Sequence, residues 1–119
     1  MDELFELFNL DRNTVIARRI RVAGTSSQRR RGLLGVSALD GDAGLWICPC
    51  EAIHTFGMRI PLDVVFLDAA SRVRKIRRGV ARNRISLCLS ARSVVEMSAN
   101  NAGLLSTAVG DRLEFRKSS

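Results

Sequence analysis

The run Leu62–Leu67 constrains the fold of this chain more than any other segment. It reads Leu-Asp-Val-Val-Phe-Leu, and β-branched and aromatic residues of this kind favour strands. Pro61 precedes it, and proline is tolerated at the start of a strand or on a sheet edge. Residues 68–71 form a short connection into residues 72–78, so the pattern predicts a β-hairpin whose second strand is strongly basic.

Four further segments alternate or stay apolar over short lengths, which is typical of strands. They are residues 14–23, 45–47, 93–98 and 112–116. Two short helical pieces are predicted, one capped by residues 25–27 and ended by Gly35, and one turn at residues 100–105. Residues 36–43 and 79–86 are predicted to be loops.

These elements predict a mainly β fold, a compact β-sandwich or barrel-like single domain with two short helices. The 119 residues are close to the commonest size of one domain, and 46% of them are hydrophobic, which favours a folded globule over disorder. We expect residues 14–119 to form this domain and residues 1–13 to be an N-terminal extension.

The sequence also predicts the cellular compartment of the protein. No stretch reaches the roughly twenty apolar residues of a membrane span. The acidic first residues differ from a secretory signal, which favours a cytoplasmic protein. Three cysteines, an odd number, favour reduced thiols over a disulfide framework.

The formal charge of +7 is carried by seventeen arginines and two lysines, and it is unevenly spread. No acidic residue lies between Asp11 and Asp40 or between Asp68 and Glu96, so we expect a positive surface region that attracts anions. Residues 72–84 hold seven of the cations, but no aromatic residue is interleaved for base stacking. The sequence therefore favours a solvated basic face over a nucleic-acid platform.

His54 is the single histidine of the chain, so any imidazole acid/base step must use it. Asp63 is its candidate partner. If residues 54–58 pair with Leu62–Leu67 in a hairpin, the two side chains share a face but lie roughly 13 Å apart. A bulge would shorten that distance. Otherwise Asp63 accepts nearby backbone amides or pairs with Arg31 or Arg59.

Cys48, Cys50, Cys88 and His54 match the ligand count of a structural Cys₃His zinc site. The Cys-Pro-Cys spacing leaves one intervening residue where zinc sites use two to four, so no metal and no cofactor is predicted. A thiol nucleophile activated by His54 lacks a third, orienting residue. Buried thiols that behave as small hydrophobes are the favoured interpretation.

An ordered set of motifs adds a resemblance. The motifs are Arg31-Gly-Leu-Leu-Gly35, His54-Thr-Phe-Gly-Met58, Pro61-Leu-Asp-Val-Val-Phe-Leu-Asp68, Val95-Glu96 and Gly110-Asp111. With this set, the chain resembles the prokaryotic family called domain of unknown function 192, from about residue 14 to residue 116. The resemblance implies a compact β-sandwich-like domain and no established activity.

Three functional hypotheses follow. The first is a pocket for a small polar or anionic ligand, with six candidate contacts: His54, Met58, Asp63, Arg31, Arg59 and Trp46. The second is a hydrolase or lyase with His54 as general acid/base and Asp63 as the orienting residue. The third is an accessory module that binds nucleic acid or an acidic protein through its basic face.

Overall fold

Nine strands, one α-helix and one 3-10 turn make up residues 3–118, the part of the chain that this computed structural model describes. In chain order they are β1 (Phe5–Asn9), β2 (Thr14–Ala23), α1 (Ser26–Arg31), β3 (Ala43–Ile47), β4 (Ala52–His54), β5 (Leu62–Leu67), β6 (Val73–Val80), β7 (Ile85–Leu87), β8 (Ser93–Ser98), the 3-10 turn (Ala102–Leu104) and β9 (Leu113–Lys117). The mainly β fold predicted from the sequence is confirmed.

Seven strands form one sheet in the order β6-β5-β8-β3-β2-β1-β9, in which only β2 and β3 are parallel neighbours. The sheet curls until its two edges meet at one end, where Arg72 and Arg112 form a bridge. There the Val73 amide donates to the Asp111 carbonyl over 2.9 Å. The result is a half-barrel, with β4 and β7 as a separate two-stranded sheet outside it.

Each face of the curled sheet buries its own apolar cluster. The barrel core, on the inner face, includes Leu7, Ile20, Val65, Val95, Met97 and Leu113. The outer core, on the opposite face, includes Leu33, Ile53, Met58, Val64, Phe66 and Val94. Every residue of β5 is buried because its side chains alternate between the two cores.

Several local predictions are confirmed. Residues 14–23 form β2, residues 93–98 form β8, and β5 pairs with the basic strand β6 through residues 68–71. The helix prediction was right about its start and wrong about its end. Thr25 is the N-cap, but the helix stops before Gly32, where φ is 51°, rather than at Gly35. The predicted loop at residues 79–86 was wrong at both ends, because β6 runs to Val80 and β7 begins at Ile85.

The predicted hairpin between residues 54–58 and Leu62–Leu67 is also wrong. Both edges of β5 are occupied, one by β6 and the other by β8. β4 instead pairs with β7, and the Thr55 amide donates to the Arg84 carbonyl over 2.8 Å. His54 therefore belongs to the small sheet that covers the outer core.

Residues 5–9, from the segment predicted as an extension, form β1 between β2 and β9. Leu7 on β1 is fully buried in the barrel core. Residues 1, 2 and 119 lie outside the described residues. No helix among residues 3–118 is both long enough and apolar enough to cross a membrane.

Candidate ligand-binding cavity

A cavity of about 590 Å³ lies between α1 with the turn that follows it and the segment that leads into β4. Polar side chains line its walls: Arg29, Arg30, Arg31, Glu51 and His54. Apolar side chains from the outer core also line it, namely Leu33, Leu34, Ile53 and Met58, together with the buried Ile47 of β3. Glu96, from β8, is the acidic residue contributed by the large sheet.

Local sequence explains how the arginine wall is positioned. Thr25 and Gln28 form a capping box that fixes the start of α1, and the three arginines fill its last turn, where cations stabilise the helix dipole. Gly32 then ends the helix with a positive φ of 51°. A Cβ atom at Gly32 would lie 3.0 Å from Glu96 Oε1, so only glycine lets the chain cross the carboxyl at this distance.

Glu96 is the most unusual group in this cavity. It is 4% exposed, sits in register between Leu45 on β3 and Val64 on β5, and its Oε1 has no hydrogen-bond partner. Burial raises its pKa to about 7, although a backbone hydrogen bond from Leu33 acts in the opposite direction. Leaving a buried carboxyl oxygen unpaired costs free energy that a bound partner would recover.

Three of the six predicted contacts line this cavity, namely His54, Met58 and Arg31. His54 is exposed, and its ring lies 5.6 Å from that of Phe56 without a hydrogen bond to any described residue. Met58 is buried in the outer core. Arg31 is exposed and makes no ion pair within residues 3–118, so its guanidinium is available to a ligand.

Asp63 lies on the other face of the large sheet. It alternates with Val64 of the outer core, so its side chain points toward the barrel core, and it is 2% exposed. The Gly79 amide donates to Oδ1 over 2.8 Å and the Asn101 amide to Oδ2 over 2.9 Å. The structure therefore forms no His54–Asp63 dyad, and Asp63 accepts backbone amides, one of the interpretations left open by the sequence.

The two remaining predicted contacts lie outside the cavity. Trp46, on β3, stacks on Phe115 at a centroid distance of 3.7 Å and meets Phe5 edge-on at 6.1 Å. It lines a second cavity of about 510 Å³, which Arg31 also borders. Arg59 is exposed and forms no ion pair with the described residues.

All three cysteines are free thiols of intermediate exposure. No group of three His, Cys, Asp or Glu side chains among residues 3–118 is placed to hold a metal ion. Cys50 and Cys88 are half-buried against the outer core. Burial raises the pKa of the Cys50 thiol, the opposite of what activates a nucleophilic cysteine.

Sequence reasoning missed Glu96 as a site residue, since it entered only within the Val95-Glu96 motif, and it also missed Arg29, Arg30 and Glu51. A signal was present. The strand reads Ser-Val-Val-Glu-Met-Ser, so a lone carboxyl interrupts an apolar strand with no neighbouring cation. Such a residue is costly to bury and is a candidate for function.

Comparisons with known proteins add the family and the fold. A family model described as DUF192, an uncharacterized ACR, matches residues 8–115. A crystal structure of a protein of unknown function from Novosphingobium aromaticivorans is 21% identical with a TM-score of 0.78, covering 93% of this chain and 83% of that chain. One described as a putative transcription regulator from Sinorhizobium meliloti is 22% identical with a TM-score of 0.82, covering 97% and 94%. At these identities the likeness shows the fold alone. No curated protein matches.

Proposed function

Because the chain belongs to the DUF192 family, which is uncharacterized and assigns no activity, we propose from its own cavity that it binds a small polar or anionic ligand beside His54. The observation that carries the proposal is Glu96, a buried carboxyl whose Oε1 has no partner and which lines a cavity walled by arginines. A buried polar group without a partner requires a reason, and a ligand provides one. Asp63 is in this proposal a structural carboxyl on the reverse face.

The arginine wall supports an anionic group on the ligand. The side chains of Arg30 and Arg31 make no hydrogen bond or ion pair within residues 3–118, whereas the Arg29 side chain donates to the Gly24 carbonyl over 2.5 Å. Guanidinium groups bind carboxylate and phosphate oxygens through paired, charge-assisted hydrogen bonds. Two unpaired guanidinium groups beside one cavity are therefore suited to a carboxylate or phosphate.

The apolar lining and the volume of the cavity indicate what the rest of the ligand is like. A volume of about 590 Å³ falls within the range of small-molecule sites, and its apolar lining accommodates a short hydrocarbon or ring. With a pKa of about 7, Glu96 can donate a hydrogen bond when protonated and accept one when ionised. The ligand proposed here has a polar group for Glu96 and an anionic group for the arginines.

A metabolite screen by thermal shift tests the proposal. The wild type is compared with His54→Ala and Glu96→Gln, and Arg59→Ala serves as a control because Arg59 is an exposed arginine outside the cavity. A compound present at a hundred times its Kd stabilises the folded protein by about 2.7 kcal/mol. We expect a compound that stabilises the wild type and Arg59→Ala but shifts the cavity variants less. Equal shifts in all four proteins would contradict the proposal.

A second candidate function is acid/base catalysis, as in a hydrolase or lyase. It is favoured by one observation, that His54 and a carboxyl with a pKa of about 7 line the same cavity. Turnover of a panel of carboxylate and phosphate esters tests it. If the wild type turns over a substrate by this route, His54→Ala or Glu96→Gln lowers kcat by about a hundredfold or more. A wild type without turnover leaves ligand binding as the function.

A further inference from the structure

Four large apolar side chains crowd around the short strand β7 and face solvent. They are Phe56, Ile85, Leu87 and Leu89, with exposed fractions of 47%, 65%, 48% and 79%. Eight large hydrophobic side chains are exposed within residues 3–118, so half of them lie here. We call these four residues the β7 patch. Clusters of this kind mark interaction surfaces more often than single exposed leucines do.

The geometry of the small sheet explains why the patch is exposed. The central pair of β4 and β7, Ile53 opposite Ser86, is buried against the outer core. The flanking pairs point the other way, with Ile85 opposite His54 and Leu87 opposite Ala52. A two-stranded sheet with one buried face must expose the side chains of its other face.

Cations border the patch on the side of β6. Lys75 Nζ donates to the Leu87 carbonyl over 2.8 Å, and Arg74 Nε donates to Ser90 Oγ over 3.2 Å. Arg84 immediately precedes Ile85, and residues 69–95 contain no acidic residue. Glu51, whose carbonyl accepts the Cys88 amide, is the acidic residue on the β4 side, and on the β6 side Arg74 pairs with Asp68 at 3.9 Å. The patch is therefore apolar at its centre and mostly positive at its border.

This distribution of charge favours one kind of binding partner for the β7 patch over the others. A second copy of the chain would bring two arginine-rich borders together, which is repulsive. A partner peptide usually lies in a groove, yet the four side chains line none of the cavities described for residues 3–118. Protruding apolar side chains surrounded by cations match an anionic lipid surface, where the apolar groups enter the acyl boundary and the cations meet phosphates.

We propose that the β7 patch docks the protein onto anionic lipid surfaces. Ile85, Leu87 and Phe56 enter the boundary between headgroups and acyl chains. Arg84, Arg74 and Lys75 stay at the level of the lipid phosphates. This docking is peripheral and does not require the ligand proposed for the cavity, although the two sites adjoin at His54, which lies opposite Ile85 and 5.6 Å from the Phe56 ring.

Sedimentation with vesicles tests the proposal on the full chain. Vesicles of phosphatidylcholine alone are compared with vesicles of equal parts phosphatidylcholine and phosphatidylglycerol at low and high salt. We expect retention on the anionic vesicles, lost as salt is added. The double variant Ile85→Ser, Leu87→Ser lowers the partition coefficient at least about tenfold, and Arg74→Ala with Arg84→Ala lowers it about tenfold.

Leu105→Ser with Val109→Ser is the matched control, since these side chains are 74% and 65% exposed at a different place. Near them Asp111 accepts from the Ala108 amide and from Arg12, so a carboxylate with its paired arginine borders the control surface. The control pair binds vesicles like the wild type. The proposal is overturned by absent retention at low salt, by equal retention on neutral vesicles or by equal loss in the control. Binding to polyglutamate or a nucleic-acid homopolymer in place of vesicles also overturns it.

Discussion

Two buried carboxyls lie on neighbouring strands, Asp63 on β5 and Glu96 on β8. They differ in whether the surrounding protein satisfies their hydrogen bonds. Their exposed fractions are nearly equal, at 2% and 4%. Asp63 accepts two backbone amides, one on each oxygen, while Glu96 leaves Oε1 without a partner. Burial alone therefore does not distinguish these two carboxyls. Hydrogen-bond satisfaction does.

The position of each carboxyl explains the difference. The pairing of β5 with β6 shifts register between Leu62 and Val64, and Asp63 accepts the Gly79 amide at that irregularity. Its other oxygen holds the Asn101 amide before the 3-10 turn. Glu96 faces the outer core, where it meets Gly32 and the cavity instead of a set of amide donors.

Replacing Asp63 is expected to have the largest effect. Asp63→Ala leaves the buried Asn101 amide and the part-buried Gly79 amide without acceptors and should lower the free energy of unfolding by roughly 3 to 5 kcal/mol. Urea denaturation measures this loss, with Asp40→Ala as a control because Asp40 is exposed. A loss as small as that of the control would show that Asp63 is not the structural carboxyl of the pair.

Replacing Glu96 should raise the free energy of unfolding at high pH, whereas replacing Asp63 lowers it. Its folded-state pKa of about 7 exceeds the ordinary value of 4.5, so the native state binds the proton more tightly than the unfolded state does. Stability therefore falls by about 3 kcal/mol as pH rises from about 4.5 to about 7, and this contribution is level above that range. Glu96→Gln removes the slope and is the more stable protein at pH values above about 7.

Urea denaturation of the wild type and Glu96→Gln across this pH range measures the difference. Glu51→Gln is the control, because Glu51 lines the same cavity but is exposed, and it should keep the wild-type slope. If the stability of Glu96→Gln depended on pH as that of the wild type does, Glu96 would not be the carboxyl with the raised pKa, and the two carboxyls would not differ in this way.

A substitution with a smaller expected effect tests the close approach of Gly32 to the Glu96 carboxyl. Gly32→Ala forces an alanine to a φ of 51° and places Cβ 3.0 Å from Oε1, so we expect a loss of about 1 to 2 kcal/mol. Gly24→Ala is the control, since its Cβ would have nothing within 4 Å. In a Glu96→Ala background the cost of Gly32→Ala should shrink, as double-mutant cycles in urea would show. An unchanged cost would show that the loss of stability in Gly32→Ala does not depend on the Glu96 carboxyl.

Local pattern was enough to predict many of the strands. β2, β5 and β8 were predicted at their observed bounds because β-branched runs and alternation depend on neighbouring residues. The partner of β4 was not predictable in this way. Its partner β7 lies about thirty residues further along the chain, and the choice depends on both edges of β5 being occupied.

The same limit applies to the site. Three of the residues predicted as ligand contacts, His54, Met58 and Arg31, line one cavity because the motifs that contain them converge in the fold. It could not tell which face of the sheet Asp63 and Glu96 occupy. A strand's side-chain alternation assigns two faces, but which face meets the cavity depends on strand order and on the path of residues 32–34.

The most direct test of the contrast is a carbon-13 NMR titration of the Glu96 carboxyl in the wild type, assigned by its absence in Glu96→Gln. If Glu96 is buried in the cavity without a full set of protein partners, the midpoint lies near pH 7. A midpoint near the ordinary value of 4.5 would mean that the carboxyl is solvated or paired, and it would contradict the role given to Glu96.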